Sequence, residues 1–284
     1  MSTNVSKGFD MVTRSDLKGL LCPFLLLIFI YLVWFMRYLV WRLFEFVEPL
    51  FLMLILSYFV ILLFSIFFLK KDAKKSLSEV FKVHSYGLIT IALFFAFVFQ
   101  AVWFTVSLNM DSNLEFLSFP SLKGYESYAV YSVPLAFILY AAFAVFGAFV
   151  EEVTFRGYVQ SRIASKYGHT VGVFVASLLF SLQHVHVFNL EWIQKFFQTQ
   201  FIYVLCFGIF VGYLFFKSEE DLWSALAFHA LMNIFNVSLP IRVKYTFPFA
   251  MQVVTIAVSF FVILLLRLVP IEEIIHTMNN MKSF

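Results

Sequence analysis

Ionisable side chains occur next to or inside long apolar stretches of this sequence, where a charged group is costly. Two adjacent carboxylates, Glu151 and Glu152, follow an apolar run and precede Arg156. On an α-helix Glu152 and Arg156 stand at i and i+4 and can form an ion pair, whereas Glu151 points about 100° away from its neighbour. Charged groups at membrane depth normally mark a buried pair or a functional site. The spacing therefore predicts a structural role for Glu152 and leaves Glu151 free for acid–base chemistry.

A histidine in the next apolar stretch, His184, is a second candidate. Gly168 predicts a helix stop between the two stretches, which would then form an antiparallel hairpin. Because this turn lies midway between them, Glu151 and His184 are expected at the same height. His229 and Asn233 follow in a later apolar stretch at i and i+4, and so on one helix face. The four side chains are expected to converge on one buried pocket.

The elements that must position these residues are predicted to be transmembrane helices. Of the 284 residues, 62% are hydrophobic and 13% are charged, and the mean hydropathy is +0.90. A helix needs roughly 20 apolar residues to cross a bilayer. Eight windows satisfy this, at about 20–41, 49–69, 86–108, 129–152, 170–188, 197–216, 222–239 and 247–269. The predicted fold class is all-α, a polytopic transmembrane helical bundle of about eight spans.

Charge placement predicts how such a bundle is oriented. Most of the 20 Lys and Arg residues fall on one side, including a cluster from Lys70 to Lys82, and cytoplasmic loops collect positive charge. The cluster is interpreted as a topology-setting loop, with an amphipathic helix on anionic lipid as the alternative. Both termini are predicted to be cytoplasmic in a multi-pass protein, located in the cell membrane if the source is prokaryotic. The predicted organisation is a cytoplasmic tail at 1–19, one transmembrane domain at 20–269 with a catalytic core of about 129–239, and a second cytoplasmic tail at 270–284.

Three short motifs carry a family resemblance. EEVTFR begins at Glu151, FSLQH ends at His184, and HALMN runs from His229 to Asn233. They match EExxxR, FxxxH and HxxxN in order, and with the eight-span layout the chain resembles the CPBP family, which includes the Ras-converting CAAX prenyl endopeptidases and the bacterial Abi proteins. The resemblance implies an intramembrane endopeptidase that acts near the cytoplasmic face on prenylated CAAX-type or other hydrophobic C-terminal substrates. The expected partners are the lipid bilayer and such a peptide or protein.

The resemblance also implies a role for each residue. Glu151 would be the general base that activates water, and His184 would help to hold and polarise that water. His229 and Asn233 would donate hydrogen bonds to the oxyanion that forms at the scissile carbonyl. Glu152 and Arg156 are the supporting residues. Arg156 either locks Glu152 in place or receives a substrate carboxylate.

Other readings of the same residues stay open. No cofactor is expected, since the sequence lacks HExxH and Asn233 beside His229 suits an oxyanion site; a zinc site of Glu151, His184 and His229 is the alternative. A proton-coupled transporter predicts polar residues spread over many spans. A non-proteolytic membrane binding or regulatory protein would use the same pocket without turnover. Nucleic-acid binding has no support because the basic residues follow the topology, and nothing in the sequence indicates an oligomeric state.

Overall fold

The computed structural model describes residues 14–44, 48–84, 86–110, 114–116, 133–185, 187, 190–238 and 241–243. The predicted eighth span at 247–269 and the predicted tail at 270–284 lie outside the described residues. So do residues 1–13 of the predicted N-terminal tail. The remaining residues of that tail, from Arg14 onward, are already part of the first helix.

Helices make up nearly all of the described chain, which confirms the predicted helical class. They are α1 (Arg14–Phe44), α2 (Glu48–Lys71), α3 (Leu77–Val80), α4 (Tyr86–Met110), α5 (Val133–Glu152), a π-helix (Val153–Gln160), α6 (Ser161–Tyr167), α7 (His169–Leu182), α8 (Leu190–Thr199), α9 (Phe201–Lys217) and α10 (Leu222–Ser238). A two-stranded antiparallel ribbon, in which β1 (Leu114–Phe116) pairs with β2 (Ile241–Val243), was not predicted.

Two helices in the described part of the chain are long and apolar enough to cross a membrane, at Leu21–Val40 and Met53–Lys71. They coincide with the first two predicted spans. Shorter apolar helices occupy the third, fifth and seventh predicted windows, at Tyr86–Val102, His169–Leu182 and Leu222–Phe235. With the large exposed apolar side chains on α1, α2 and α4, these lengths describe an integral membrane protein.

The predicted sixth span, 197–216, needs correction at its start. Its first residues belong to α8, and the chain bends by 60° between α8 and α9, so the two helices make a third span only if they are counted together. In α8 the polar residues Glu191 and Lys195 are exposed and Phe196 is buried. A helix with one polar and one apolar face differs from a span, which is apolar all round. The mean hydropathy of a window does not reveal this difference between faces.

The segment α2 and the continuous helix from α5 through α6 run side by side in the same direction. Their contacts advance together along both, as Tyr58 with Glu151, Ser65 with Thr154, Phe68 with Tyr158, and Asp72 with Arg162. Such a parallel direction is expected for the second and fourth spans of a bundle in which successive helices alternate in direction. The α2 helix is therefore the neighbour that lies along both glutamates.

Helix α7 returns antiparallel to α6 and packs closely on it and on α9. Gly168 ends α6 with a φ of 86°, as the sequence predicted. At Gly172 an added Cβ would lie 2.8 Å from the Ala164 Cβ, and at Gly208 it would lie 3.0 Å from the Ser177 Cβ. These glycines thus allow α6 and α9 to pack closely against α7.

The basic segment between α2 and α4 folds back onto the helix ends. Apart from the four-residue helix α3 it is a loop, and its predicted part in setting the topology stays a prediction. Arg162 donates to Asp72 over 2.8 Å, and the His84 amide donates to Asp221 over 3.0 Å. Lys75 pairs with Glu220 in the loop before α10. Burial lowers the pKa of the Lys75 ammonium, while the Glu79 carboxylate opposes that shift.

Candidate active site

The helix that carries both glutamates changes its winding directly after Glu152. From Val153 to Gln160 it is a π-helix, and the Ser161 amide donates to the carbonyl of Arg156 five residues earlier. All eight residues of this π-helix are buried. π-Helical turns are rare and occur frequently at functional sites. No feature of the sequence pattern predicted this change.

Glu152 and Arg156 form the ion pair that their spacing predicted. The Arg156 Nη1 to Glu152 Oε1 distance is 3.2 Å, and both side chains are fully buried. The other terminal nitrogen, Nη2, donates to the Gly208 carbonyl on α9 over 3.1 Å. The guanidinium also stacks 4.5 Å above the ring of Phe180 on α7. Arg156 thus ties the π-helix to two other helices.

His229 of α10 lies between the two glutamates. Its Nδ1 is 2.6 Å from Glu152 Oε1, and its Nε2 is 3.5 Å from Glu151 Oε2. The Glu152 side chain is 0% exposed, whereas that of Glu151 is 12% exposed. Glu152 therefore faces both Arg156 and His229 through one oxygen, Oε1, while its Oε2 is buried without a hydrogen-bond partner among the described residues, and Glu151 is the more exposed of the two glutamates.

Tyr58 of α2 completes this group and was missed by sequence reasoning. Its hydroxyl donates to Glu151 Oε1 over 3.2 Å. The first three predicted spans show almost no polar pattern, and a single tyrosine in an apolar helix is too common to indicate a site. Five side chains thus form a continuous series of contacts, in the order Tyr58, Glu151, His229, Glu152 and Arg156. This series is referred to below as the Tyr58–Arg156 row.

His184 follows the end of α7 and joins this row through Phe180. Its Nδ1 lies 2.8 Å from the Phe180 carbonyl, and its ring centroid is 4.9 Å from that of Phe180. On the other side, the Phe180 ring is 5.8 Å from the ring of His229. Phe180 is the first residue of the FSLQH motif. The four-residue spacing therefore brings His184 into contact with both the carbonyl and the ring of Phe180.

Asn233 lies one turn beyond His229 on α10. Its Nδ2 donates to the Ala144 carbonyl of α5, over a long 3.4 Å. Ala144 is itself about two turns before Glu151 on the same helix. Asn233 therefore links α10 to α5 through a long, weak hydrogen bond.

The structure brings the predicted site residues together in two ways. Glu151, Glu152, Arg156 and His229 are in direct contact, while His184 and Asn233 are connected through Phe180 and Ala144. Among the described residues no hydrogen bond or ion pair joins Glu151 to His184, so their predicted meeting across the hairpin stays a prediction.

The alternative zinc site of Glu151, His184 and His229 stays a prediction. In the described part of the chain, no three His, Cys, Asp or Glu side chains are grouped as a metal ion requires, and this includes Glu151, His184 and His229. His184 Nδ1 faces a backbone carbonyl, and His229 Nδ1 faces Glu152, so Nε2 is the ring nitrogen that these two contacts leave open on each histidine.

Comparison with known proteins gives one match. Residues 133–235, about a third of the chain, match the family model described as type II CAAX prenyl endopeptidase Rce1-like. The matched segment runs from the start of α5 almost to the end of α10 and contains every residue of the three sequence motifs. This confirms the resemblance derived from those motifs. No curated protein and no solved structure matches the chain.

Proposed function

We propose that this chain is an intramembrane endopeptidase for prenylated CAAX-type or other hydrophobic C-terminal peptides, because residues 133–235 match the family model described as type II CAAX prenyl endopeptidase Rce1-like. The family match implies a protease, and the apolar helices imply that it acts within a membrane. The observation that carries the proposal is the Tyr58–Arg156 row. It combines one accessible carboxylate with a buried, hydrogen-bonded imidazole.

Glu151 is the proposed general base. It is the more accessible of the two glutamates, and it lies beside His229 at the start of the buried π-helix. Its carboxylate takes a proton from a water molecule, and the resulting hydroxide attacks the scissile carbonyl carbon. The same proton then passes to the amine leaving group as the C–N bond breaks. His184, held by Phe180, is the proposed second contact of the attacking water.

His229 and Asn233 are the proposed donors to the tetrahedral oxyanion. The row contains two carboxylates and one guanidinium, so it is electrically neutral when His229 carries a proton on both ring nitrogens. Nδ1–H then donates to Glu152, and Nε2–H, whose 3.5 Å distance to Glu151 is long for a hydrogen bond, can turn toward an oxyanion. The Asn233 amide can exchange its weak Ala144 bond for the same acceptor.

The proposed membrane arrangement has about eight spans with both termini in the cytoplasm. Its support is the positive charge of the segment after α2 and the common direction of α2 and α5–α6. In this arrangement the ends of α2 and α6 face the cytoplasm. Glu151 then lies about 16 residues, or about 24 Å along a helix, before the cytoplasmic end of α6 at Tyr167, and the substrate is proposed to reach it from the cytoplasmic face.

The test is cleavage by protein purified in detergent. A farnesylated CAAX peptide and the same peptide without its prenyl group are compared with wild type, Glu151→Gln and His184→Ala. Removing the base is expected to lower kcat by about 10³-fold or more, and removing His184 by about 10²-fold. Arg162→Lys, a change outside the row, serves as the matched control and is expected to retain activity.

The outcomes separate the competing functions. Cleavage that survives both site substitutions would overturn the assignment of the site. Binding of the farnesylated peptide without any cleavage by wild type would replace the protease with a membrane binding protein. Cleavage of the unmodified peptide at an equal rate would remove the prenyl group from the substrate definition while leaving the reaction intact.

A further inference from the structure

The α2 helix contributes to the site through a residue that lies outside the three motifs and outside the family match. We propose that Tyr58 is a positioning residue for Glu151, whose hydroxyl holds the carboxylate in the orientation that faces His229. The inference rests on the proposed function in one respect, that Glu151 is the general base. It goes beyond that function by assigning the orientation of the base to a different transmembrane helix.

Both oxygens of Glu151 have a partner in this arrangement. Tyr58 donates to Oε1 over 3.2 Å, and Oε2 lies 3.5 Å from His229 Nε2. The last torsion of a glutamate side chain is broad and roughly two-fold, so without partners the carboxylate rotates freely. A donor on Oε1 and an imidazole on Oε2 together define one plane for the group. Base catalysis depends on such geometry, because the proton must be transferred along a hydrogen bond.

The Tyr58 ring is itself held by aromatic neighbours. Trp34 of α1 meets it edge-on at 5.4 Å, and Phe143 and Phe146 of α5 meet it at 5.7 and 6.4 Å. Contacts of this geometry favour one ring orientation. The ring contacts from α1 and α5 therefore orient the Tyr58 hydroxyl toward Glu151.

The absence of a side chain at Gly147 leaves space for the Tyr58 hydroxyl beside Glu151. It lies one turn before Glu151 on α5, and a Cβ added there would be 3.7 Å from both Cζ and Oη of Tyr58. The phenol end of the tyrosine thus rests against the bare backbone of this turn. A larger side chain at 147 would move the ring away from α5 and lengthen the bond to Glu151.

A purely structural role for Tyr58 would be to fasten α2 to α5. That fastening exists elsewhere, since Ser65 and Thr154 form a buried 2.7 Å hydrogen bond between the same two segments. The Phe68 and Tyr158 rings also stack at 5.5 Å. Loss of the Tyr58 hydroxyl alone should therefore affect the carboxylate more than the helix packing.

The first experiment compares the kinetics of Tyr58→Phe with those of Tyr158→Phe on the farnesylated CAAX peptide. Each variant loses one hydroxyl that donates to a carboxylate, but the partner of Tyr158 is Asp72, outside the site. Tyr58→Phe is expected to lower kcat about tenfold with KM unchanged, and Tyr158→Phe is expected to leave kcat unchanged. In a Glu151→Asp background, whose shorter arm already breaks the bond, Tyr58→Phe should have no further effect on kcat.

The second experiment does not depend on activity. The carboxyl stretching band of Glu151 is identified in infrared difference spectra of the purified protein as the band lost in Glu151→Gln. Tyr58→Phe is expected to shift that band, because it removes a hydrogen bond from the carboxyl group, and Tyr158→Phe is expected to leave it in place.

These results distinguish failure of the inference from failure of the proposed function. Wild-type kcat and an unshifted Glu151 band in Tyr58→Phe would overturn the role of Tyr58, whatever the reaction is. Full activity of Glu151→Gln would overturn the proposed base and, with it, the catalytic consequence of Tyr58. A loss of thermal stability in Tyr58→Phe with unchanged kcat would assign the residue to helix packing alone.

Discussion

His229 Nδ1 lies 2.6 Å from Glu152 Oε1, although the two residues are 77 positions apart in the chain. Both are buried, and Glu152 also pairs with Arg156. A carboxylate that accepts from Nδ1–H fixes the orientation of the imidazole and leaves Nε2 on the side of Glu151. In the proposed mechanism the second glutamate of the EEVTFR motif therefore orients His229 toward Glu151.

Substitution of Glu152 tests this function. In Glu152→Gln the acceptor for Nδ1–H is weakened and the imidazole can turn, so kcat is expected to fall by about 10²-fold to 10⁴-fold, by analogy with other carboxylates that orient a catalytic histidine. The same change leaves the Arg156 charge without its partner, which costs about 3–5 kcal/mol of stability. Steady-state kinetics per folded molecule and thermal unfolding in detergent measure the two effects.

The control for this experiment is Arg156→Met, which breaks the ion pair from the other side. It retains the contact between Glu152 and His229 while removing the cation. A similar loss of stability with a smaller loss of kcat is expected. Equal losses of kcat per folded molecule in both variants would mean that Glu152 acts only through Arg156.

A second prediction concerns metal dependence. The proposed mechanism uses Glu151 as the base and His229 and Asn233 as hydrogen-bond donors, without a metal ion. Activity is therefore expected to survive exhaustive chelation, and metal analysis of the active protein is expected to find less than one zinc per chain. One tightly held zinc per active chain, with activity lost on its removal and restored on its return, would contradict the side-chain mechanism.

Local signals in the sequence predicted some contacts at the site and missed others. The ion pair between Glu152 and Arg156 was predicted because i, i+4 spacing is a local signal, whereas the contact between Glu152 and His229 was not predicted. Gly168 could also be recognised as a helix stop from a local signal. Tyr58 could not be found, because its contact depends on which helix packs against α5, and an apolar window gives no such information.

The departures in the fold have related causes. The π-helix at 153–160 changes the number of residues per turn without changing hydrophobicity, so no periodicity analysis of a buried segment detects it. The helix α8 was hidden because its polar face lowers the mean hydropathy of a window that would otherwise mark a span.

A third prediction concerns the close packing of α7 on α6. In Gly172→Ala the new Cβ would lie 2.8 to 3.0 Å from the Cβ, Cα and N atoms of Ala164, so backbone must move. A loss of about 1–3 kcal/mol in the free energy of unfolding is expected. Gly157→Ala is the control, because its nearest contact would be an ordinary 3.5 Å to Leu222. An equal loss in the two variants, measured by thermal unfolding, would contradict the steric explanation.

A fourth prediction concerns the loop that folds over the ends of α6 and α9. Lys75 and Glu220 form an ion pair, and each side chain is about a quarter exposed. Solvent therefore screens the pair, and a double-mutant cycle of Lys75→Met with Glu220→Gln is expected to give a coupling energy of about 0.5–1 kcal/mol. The coupling should decrease in high salt. No coupling at low salt would show that the loop is held by Arg162 and Asp221 instead.

The last prediction concerns Phe180, whose ring contacts the side chains of Arg156, His184 and His229. In Phe180→Leu the cation–π contact and both edge contacts are lost, so the guanidinium and the two imidazoles gain freedom. A decrease in kcat of about tenfold or more is expected, together with a loss of about 1–2 kcal/mol in stability. Phe155→Leu is the matched control, because Phe155 is as deeply buried and touches Phe180 itself, at 5.4 Å. It should lose similar stability and retain kcat per folded molecule, and an equal decrease in kcat in both variants would assign Phe180 to core packing.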